Sequence, residues 1–389
     1  ASKVAAALDE HRPSPVGFDR MAMDQFLAGY LDYAANVQNL ALRSLDRYRA
    51  ALERFQEFVS STSIKSIDQV SASTVEDFVK WLRSKTRSRN GHPNAKKEGY
   101  KTGGIQFILS TCRTAFNWAM KRRHLPPFCE NPFAEFPIDQ MKDRDREAAA
   151  ARMLSIDEQR AFFKLCNEWQ RGIFSVLATY GLRTGELTHL LIEDVNLKEN
   201  LIQVRSKPDL YWYLKTDRQR VLPLIPEFRE LFESAIGSRK AGFLFLNESF
   251  VEGSRKPAAE FVGPRALRER LQKITEELRA AEPTVGMKAL SRATRDFCRD
   301  LGQIPERRVR QEFMKLTKRI GRPDLTRAHD LRHLFTSRAQ ELGVNPILVQ
   351  EVLGHKTLEM TRHYTHIGLN AKREAMSQVA SAFLTPPPA

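Results

Sequence analysis

Residues 171–187 have the sequence RGIFSVLATYGLRTGEL, an apolar stretch that ends at a glycine and continues with an arginine and a glutamate. The spacing of the apolar residues predicts a helix over Arg171–Tyr180, and Gly181 is suited to close it because glycine adopts left-handed backbone angles without strain. Arg183 and Glu186 lie three residues apart, so one turn of a following helix brings the guanidinium beside the carboxylate. Alone, this pattern indicates an ion pair at a helix start, and it also allows a cleft in which Arg183 binds an anion.

The residues that follow change to the period of β-strands. Apolar residues alternate or bunch in Leu201–Arg205, Tyr211–Thr216 and Arg220–Leu224, which predicts a short antiparallel sheet inside a helical domain. Lys215 then lies at the end of the second predicted strand. A lysine at a hairpin tip is normally solvated, and it gains a further role only where a ligand covers it.

A histidine and an arginine share one helical face near the C-terminal end of the chain. Residues 329–335 have the sequence HDLRHLF, and a helix is predicted over Arg327–Leu342. His329 and Arg332 are therefore one turn apart near the helix start, where the dipole also favours an anion. The pattern fits an anion site, and it equally fits a solvated helix end.

The segment LGHKTLEMTRHYTH, residues 353–366, begins where a predicted helix over Pro346–Leu353 ends. It contains His355 and Tyr364, and a last helix is predicted near 370–384. A tyrosine is ordinarily a core or interface residue, so Tyr364 by itself does not indicate a nucleophile.

The N-terminal part of the chain has the pattern of a small helical domain over residues 23–124, after a polar leader over 1–22. Four helices are predicted from apolar residues at helical spacing and from a capping box of Ser73 and Glu76 at the start of the third. They are Met23–Asn36, Leu42–Ser60, a helix that begins at Ser73, and Thr102–Arg122.

A basic segment separates the third and fourth predicted helices, with a single acid, Glu98, among its basic residues. A run of charge is usually a solvated surface, but the near absence of acids favours contacts with phosphates, which position a duplex without reading its sequence. The candidate DNA-binding residues are Arg83, Lys85, Arg87, Arg89, Lys96, Lys97 and Lys101.

Four prolines followed by a run of charge predict an interdomain linker over residues 125–152. A capping box of Ser155 and Glu158 predicts the first helix of a second domain, over 153–389. Within that domain, residues 247–323 are highly charged and helical in pattern, without a chemical motif.

The composition bounds the function classes. The 389 residues include 62 Lys and Arg against 47 Asp and Glu, a formal charge of +15 that suits a polyanionic partner. The four cysteines lie far apart, without zinc-ligand or redox spacing, and predict reduced thiols. No stretch has the length of a membrane span, so we expect a cytoplasmic, nucleoid-associated protein with no membrane partner.

Four motifs in combination resemble the tyrosine recombinase and phage integrase family: GLRTGEL, LKTDRQRVLPL, HDLRHLF and LGHKTLEMTRHYTH, in that order. The N-terminal helices also resemble the family's core-binding domain, which is SAM-like. The resemblance implies a mainly α fold with a small antiparallel β-sheet in the catalytic domain. It further implies that the two domains close as a clamp around DNA.

The resemblance implies a covalent reaction. Tyr364 matches the nucleophile that attacks the scissile phosphate and forms a 3′-phosphotyrosine, and Arg183 and Arg332 match the residues that grip the non-bridging oxygens. The phosphotyrosine keeps the energy of the broken bond, so rejoining needs no ATP. Cationic side chains take the place of a metal, and no cofactor is expected.

The remaining motif residues match positions with supporting roles in the family. Lys215 matches the residue that protonates the leaving 5′ oxygen. His329 matches a residue that helps to take the tyrosine proton, and His355 one that donates to a phosphate oxygen. Glu186 matches the residue that orients its neighbours.

The resemblance also implies partners. We expect double-stranded DNA and four protomers on two duplexes, assembled from a monomer or weak oligomer, with the helix near 370–384 docking on a neighbour. A phage or another mobile element is the expected context. Residues 247–323 make the interval before the HDLRHLF motif longer than in compact relatives.

Two alternatives stay open from the sequence. A type IB topoisomerase uses similar chemistry to relax supercoils without exchanging partners. A DNA-binding regulator can retain the fold after losing the reaction, although every expected position is filled here.

Overall fold

The computed structural model describes residues 18–38, 40, 42–88, 97–127, 129–141, 154–283 and 285–354. The chain divides into two compact units, residues 1–148 and 149–389. Both are dominated by helices, and short antiparallel strands accompany them, so the expected fold class is confirmed.

Four long helices build the described part of the first unit around an aromatic core. Phe26, Phe55, Phe78 and Phe116 are fully buried, and their rings meet edge to face, with centroids 5.0 Å apart for Phe26 and Phe116 and 5.1 Å for Phe55 and Phe78. Such pairs add about 0.5–1.5 kcal/mol each beyond the area that they bury. The helices are α1 (Met23–Asn36), α2 (Leu42–Ser60), α3 (Ala72–Ser84) and α4 (Thr102–Lys121).

The third helix begins two residues earlier than the sequence pattern predicts. Ser71, not Ser73, is its N-cap: the Ser71 hydroxyl accepts the backbone N–H of Thr74 at 3.3 Å, and the Thr74 hydroxyl accepts the N–H of Ser71 at 3.1 Å. The predicted capping box of Ser73 and Glu76 is therefore wrong. Thr74 closes the box in place of Glu76, because its short side chain reaches back to the cap.

The basic segment forms a two-stranded hairpin that the sequence did not predict. Strand β1 (Thr86–Ser88) pairs antiparallel with β2 (Lys97–Gly99), with Arg87 opposite Glu98. Residues 89–96 lie outside the described residues. Both strands are three residues long and contain no apolar side chain, so hydrophobic alternation does not indicate them in the sequence.

Part of the predicted linker packs into the first core. Phe133 and Ile138 are fully buried there, and Asn131 holds the stretch by donating to the backbone carbonyl of Arg113 at 2.8 Å. Apart from a short turn at Ile138–Gln140, the described residues between 122 and 141 contain no regular helix or strand, as the prolines require.

The first helix of the second unit begins as the sequence predicts. The Ser155 hydroxyl and the Glu158 carboxylate form the expected capping box of the first helix. The helix before Gly181 starts at Glu168 rather than Arg171, because Asn167 and Gln170 form a further capping box upstream. The helices are α5 (Ile156–Leu165), α6 (Glu168–Tyr180), α7 (Thr184–Thr188), α8 (Pro226–Ile236), α9 (Glu248–Val251), α10 (Pro264–Ala281), α11 (Met287–Asp300), α12 (Glu306–Arg319), α13 (Asp330–Glu341) and α14 (Pro346–Leu353).

A three-stranded antiparallel sheet lies within this unit, in the order β3 (Val195–Asn196), β4 (Leu201–Val204) and β5 (Arg220–Pro223). The prediction of a strand over Tyr211–Thr216 is wrong. Tyr211 adopts left-handed backbone angles, with φ at 50°, and the chain turns there instead of extending.

The charged stretch 247–323 is helical, as its pattern predicts, but its parts serve two cores. Helices α10 and α11 pack on each other around a small second core, which includes Leu267, Leu271 and Cys298 together with Leu191 and Phe243 from outside the stretch. Helix α12 instead places Val309 and Phe313 in the main core of the unit. The stretch is therefore partly an addition and partly a component of the central core.

The helix predicted over Arg327–Leu342 begins later, at Asp330, and His329 is its N-cap residue. Helix α14 has the predicted bounds and ends at Gly354, in the left-handed conformation. The residues from 355 onward, including the helix predicted near 370–384, lie outside the described residues.

Candidate active site

Four segments of the second unit meet at Gly181. Its φ is +58°, and a Cβ placed there lies 2.4 Å from Cδ2 of Leu353 and 3.1 Å from Cδ1 of Phe335. Glycine is therefore required both by the backbone and by the close approach of α13 and α14. The turn brings the residue after next, Arg183, to the start of α7 and beside these helices.

Glu186 binds two guanidinium groups. Its Oε1 accepts from Nη1 of Arg183 at 2.8 Å, and its Oε2 accepts from Nη2 of Arg220 at 2.7 Å. A third guanidinium, that of Arg332, lies 4.0 Å away. We call these four residues the arginine–glutamate cluster.

The cluster keeps the Glu186 carboxylate charged. Burial alone raises the pKa of a carboxyl group, but the charges of Arg220, Arg183 and Arg332 outweigh it, and the pKa of Glu186 falls to about 2. The side chain of Glu186 is only 2% exposed, whereas that of Arg183 is 15% exposed. Glu186 thus orients the arginines from inside, and Arg183 retains an edge towards solvent.

Arg332 is fixed by backbone carbonyls. Nη1 donates to the oxygen of Gly181 and Nη2 to that of Leu353, each at 2.5 Å, and the residue is only 2% exposed. The side chain therefore ties the start of α13 to the ends of α6 and α14. Its orientation is set before any ligand arrives.

Arg220 was not among the candidate residues, yet it is central to the cluster. Nε donates to the carbonyl of Val352 at 2.7 Å, and the side chain is 6% exposed. A signal was present: Arg220 and the buried Leu222 share one face of β5, because side chains alternate along a strand. A charged residue on an inward face needs a buried partner of opposite charge.

Two histidines lie at the start of α13. The rings of His329 and His333 meet edge to face with centroids 4.8 Å apart. Burial, the neighbouring His333 and the charges of Arg332 and Arg183 lower the pKa of His329 to about 3. Burial and Arg327 lower the pKa of His333 to about 4. Both imidazoles are therefore neutral at neutral pH.

Lys215 does not end a strand but lies exposed in a loop, between the buried residues Leu214 and Thr216. The Thr216 hydroxyl donates to the carbonyl of Gly354 at 3.3 Å. The loop that carries Lys215 is thereby attached to the residue that follows α14. A Cβ on Gly354 lies 3.2 Å from Nη1 of Arg220, so this attachment point lies against the cluster.

His355 and Tyr364 lie outside the described residues. His355 is the residue after Gly354, and Tyr364 is ten residues after Gly354 in the chain. The structure thus brings Arg183, Glu186 and Arg332 together, with His329 next to them, and leaves the contribution of the other two as a prediction.

The basic segment of the first unit is exposed. Arg83, Lys85, Arg87, Lys97 and Lys101 all face solvent where the structure describes them, while Arg89 and Lys96 lie outside the described residues. The guanidinium of Arg87 lies 5.3 Å from the ring centroid of Tyr100. Arg87 and Lys97 are thus presented on two paired strands, and Arg83, Lys85 and Lys101 on or beside the adjoining helices.

Within the described ranges, no group of three or more His, Cys, Asp or Glu side chains is placed to hold a metal ion. Over the same ranges, no helix combines the length and apolarity needed to span a bilayer.

Comparison with protein families identifies the fold and its class. The model described as the phage integrase family matches residues 152–370, more than half of the chain. The chain belongs to the phage integrase family. A second model, the N-terminal SAM-like domain of phage integrases, matches residues 27–123. The expected tyrosine recombinase class, with its enzymatic function in site-specific recombination, is therefore confirmed.

Relatives of this integrase family member are distant in sequence. The tyrosine recombinase XerD of Staphylococcus aureus is 22% identical over 363 residues, covering 92% of this chain and 98% of that protein. The tyrosine recombinase XerC of Thermodesulfovibrio yellowstonii is 26% identical over 200 residues, 51% of this chain and 50% of that protein.

Solved integrase structures share the fold. The Tn1549 transposon integrase in complex with a circular intermediate DNA matches with a TM-score of 0.60 at 18% identity, over 92% of this chain and 99% of that one. The lambda integrase dimer bound to a COC′ core site matches with a TM-score of 0.57 at 14% identity, over 93% and 80%. Both are similar to this integrase in architecture.

Proposed function

We propose that this chain cleaves and rejoins DNA strands at specific sites, with Tyr364 as the nucleophile. The observation that carries the proposal is the arginine–glutamate cluster, in which Glu186 orients the guanidinium groups and that of Arg220 lies against Gly354, just before the His355 and Tyr364 segment. Attack by the Tyr364 oxygen on phosphorus forms a 3′-phosphotyrosine and releases the 5′ oxygen. The reverse attack by a 5′ hydroxyl restores the DNA backbone.

The arginines supply the charge that the transition state needs. As phosphorus becomes five-coordinate, negative charge builds on the non-bridging oxygens, and planar guanidinium groups bind such oxygens in pairs. Arg183 has the more exposed edge, and Arg332 is held by the carbonyls of Gly181 and Leu353. Because Glu186 and these carbonyls fix the side chains beforehand, little reorganisation is needed when charge develops.

Proton transfer completes the reaction. Lys215 donates the proton that the leaving 5′ oxygen requires, and a positioned acid of this kind contributes roughly 10²–10⁴-fold. Burial and the neighbouring positive charges lower the pKa of His329 to about 3, which weakens it as a base. A bound phosphate offsets the charges of Arg332 and Arg183 and raises this pKa, and His329 then helps to accept the proton of Tyr364. His355 donates a hydrogen bond to a phosphate oxygen. These groups account for the chemistry without ATP or a resident metal.

The first unit supplies affinity. The exposed hairpin of the basic segment is suited to phosphate contacts, and we propose that it lies on the duplex while the second unit performs the reaction. The proposed domains are residues 23–124 and 153–389, joined over 125–152, of which Phe133 and Ile138 pack into the core of the first unit. The solved relatives include the lambda integrase tetramer bound to a Holliday junction, which supports four protomers on two duplexes, assembled from a monomer or weak oligomer.

The proposed setting is a phage or mobile element whose enzyme acts in the cytoplasm, at the nucleoid. The similarity to the transposon and lambda integrases supports this setting.

The decisive experiment traps the covalent intermediate in cells. Denaturation with SDS should leave DNA attached to wild-type protein and not to Tyr364→Phe, and sequencing of the attached DNA returns the recombination site. If wild type carries no DNA under these conditions, a regulator without the reaction replaces the proposal. If DNA is attached but plasmid is only relaxed, without exchanged ends, a topoisomerase-like activity replaces it.

A further inference from the structure

The loop that carries Lys215 is anchored by a tryptophan. Trp212 forms a two-way backbone bridge with Lys207, in which the N–H of Lys207 donates to Trp212 at 2.8 Å and that of Trp212 donates back at 3.1 Å. The Trp212 ring stacks on His189, with centroids 4.6 Å apart and an angle of 12° between the planes. We call residues 207–216 the Lys215 loop.

His189 connects this stack to the arginine–glutamate cluster. It follows α7 directly, and its Nδ1 lies 2.8 Å from the carbonyl oxygen of Gly185, which is between Arg183 and Glu186 in the chain. A Cβ on Gly185 lies 3.4 Å from Nε1 of Trp212. Trp212 therefore packs on the helix that presents Arg183.

The outer side of the loop packs on α10 and α11. The turn Pro208–Leu210 contacts both helices, and Leu210 packs against their small core. The Tyr211 hydroxyl lies 3.3 Å from that of Thr275 on α10. At its other end, the loop is fixed by Thr216 on Gly354. Lys215 lies between two anchored residues while its own side chain remains exposed.

We propose that Trp212, through its stack on His189, is a positioning residue that holds Lys215 where it protonates the leaving 5′ oxygen. This inference rests on the proposed function. Trp212 comes three positions before Lys215 in the chain, so loss of the stack releases the loop from α7 without removing a group that touches DNA. The α10–α11 pair then supports catalysis as the outer wall of this loop.

The proton balance gives the inference a specific test. In the natural substrate, the Tyr364 oxygen bonds to phosphorus, the bond from phosphorus to the 5′ oxygen breaks, and Lys215 gives a proton to that oxygen. With sulfur in place of the bridging 5′ oxygen, the leaving group departs as a thiolate, which is stable without a proton because thiols are much more acidic than alcohols. A defect confined to the proton donor disappears on the sulfur substrate.

The experiment compares single-turnover cleavage of two nicked duplexes, built on the site recovered by covalent trapping, that differ only in oxygen or sulfur at the bridging 5′ position. Trp212→Ala should cleave the oxygen substrate about tenfold more slowly or worse, and the sulfur substrate at close to the wild-type rate. Lys215→Ala should show the same pattern with a larger defect. Tyr213→Ala is the matched control, because Tyr213 is in the same loop and 60% exposed.

The outcomes separate the inference from the proposed function. Equal slowing of Trp212→Ala on both substrates, or no slowing on either, overturns the positioning role. Trp212→Phe keeps a flat ring over His189 and should retain cleavage, which makes the test independent of whether the alanine variant folds. Loss of activity in Trp212→Phe on both substrates also contradicts the inference. Failure of wild type to cleave either duplex overturns the proposed function instead.

Discussion

Glu186 and Arg220 form a buried two-point ion pair. Nη2 of Arg220 donates to Oε2 of Glu186 at 2.7 Å and Nη1 to Oε1 at 3.3 Å, across 34 residues of sequence. The side chains are 2% and 6% exposed, so neither group has water as a ready substitute. Arg183 uses the same carboxylate, and the pair therefore fixes a residue proposed to bind phosphate.

Removal of the carboxylate should destabilise the second unit. In Glu186→Ala, two buried guanidinium groups lose their counter-charge, and breaking a buried pair from one side costs about 3–5 kcal/mol. The measurement is the midpoint of urea unfolding, with the exposed Glu199→Ala as the matched control. An unchanged midpoint for Glu186→Ala would show that water replaces the carboxylate, against the observed burial.

Arg220 should affect strand cleavage more than DNA binding. Arg220→Lys keeps the charge but loses the two-point geometry, because an ammonium is a single point of contact. We expect single-turnover cleavage to fall about tenfold or more, the effect of about 1.4 kcal/mol in the barrier, while DNA affinity changes little. Equal losses in affinity and cleavage would instead place Arg220 among the residues that bind DNA directly.

As the pH falls, this fold should lose stability at a higher pH than a fold whose histidines have ordinary pKa values. The pKa of His329 is lowered to about 3 and those of His333 and His189 to about 4, from the ordinary value of 6.5. Between the lowered pKa values of the folded chain and the ordinary value of 6.5, the unfolded chain binds more protons than the folded chain. The contribution of these histidines to stability is therefore complete above about pH 6.5 and decreases as the pH falls. Glu186, with a pKa of about 2 against 4.5, adds a further loss below pH 4.5.

The measurement is the thermal midpoint between pH 8 and pH 5. It should fall with acid in wild type and fall less in His333→Asn, which removes one of the groups that must be neutral in the fold. A midpoint that rises with acid would contradict the direction of these shifts.

Alanine substitutions at Gly181 and Gly343 should distinguish the cost of backbone strain from the cost of close packing. Both have positive φ, +58° and +70°, but a Cβ at Gly343 meets nothing within 4 Å, whereas one at Gly181 lies 2.4 Å from Leu353. Gly343→Ala should cost about 1–2 kcal/mol for the left-handed backbone alone. Gly181→Ala should cost more and also reduce cleavage, since it displaces α14 from the cluster. Equal unfolding midpoints for the two variants would contradict the close approach.

The sequence predicted the elements in which local signals are strong. Helical periodicity located α1, α2 and α14, and the motifs identified Arg183, Glu186 and Arg332. These signals depend on residues a few positions apart, which a sequence displays directly.

Contacts between distant residues were not predictable in the same way. Arg332 donates to a carbonyl 151 residues away, and Arg220 to a carboxylate 34 residues away. Trp212 belongs to a stretch with strand composition, but its packing on His189 and the left-handed Tyr211 end the strand before it forms. Tertiary contacts there override the local preference.

The hairpin of the basic segment should account for part of the salt dependence of binding. Arg87, Lys97 and Lys101 are exposed on or beside β1 and β2, and each phosphate that they neutralise releases counterions from DNA. In the triple glutamine variant, the slope of log affinity against log salt should therefore be shallower by about 3, with similar losses on unrelated sequences. Glutamine at Arg54 and Lys80 is the control, because these exposed charges are paired with acids on their own helices. If the slope stays the same in the triple variant but becomes shallower in the Arg54 and Lys80 control, the phosphate contacts lie on the helices and not on the hairpin.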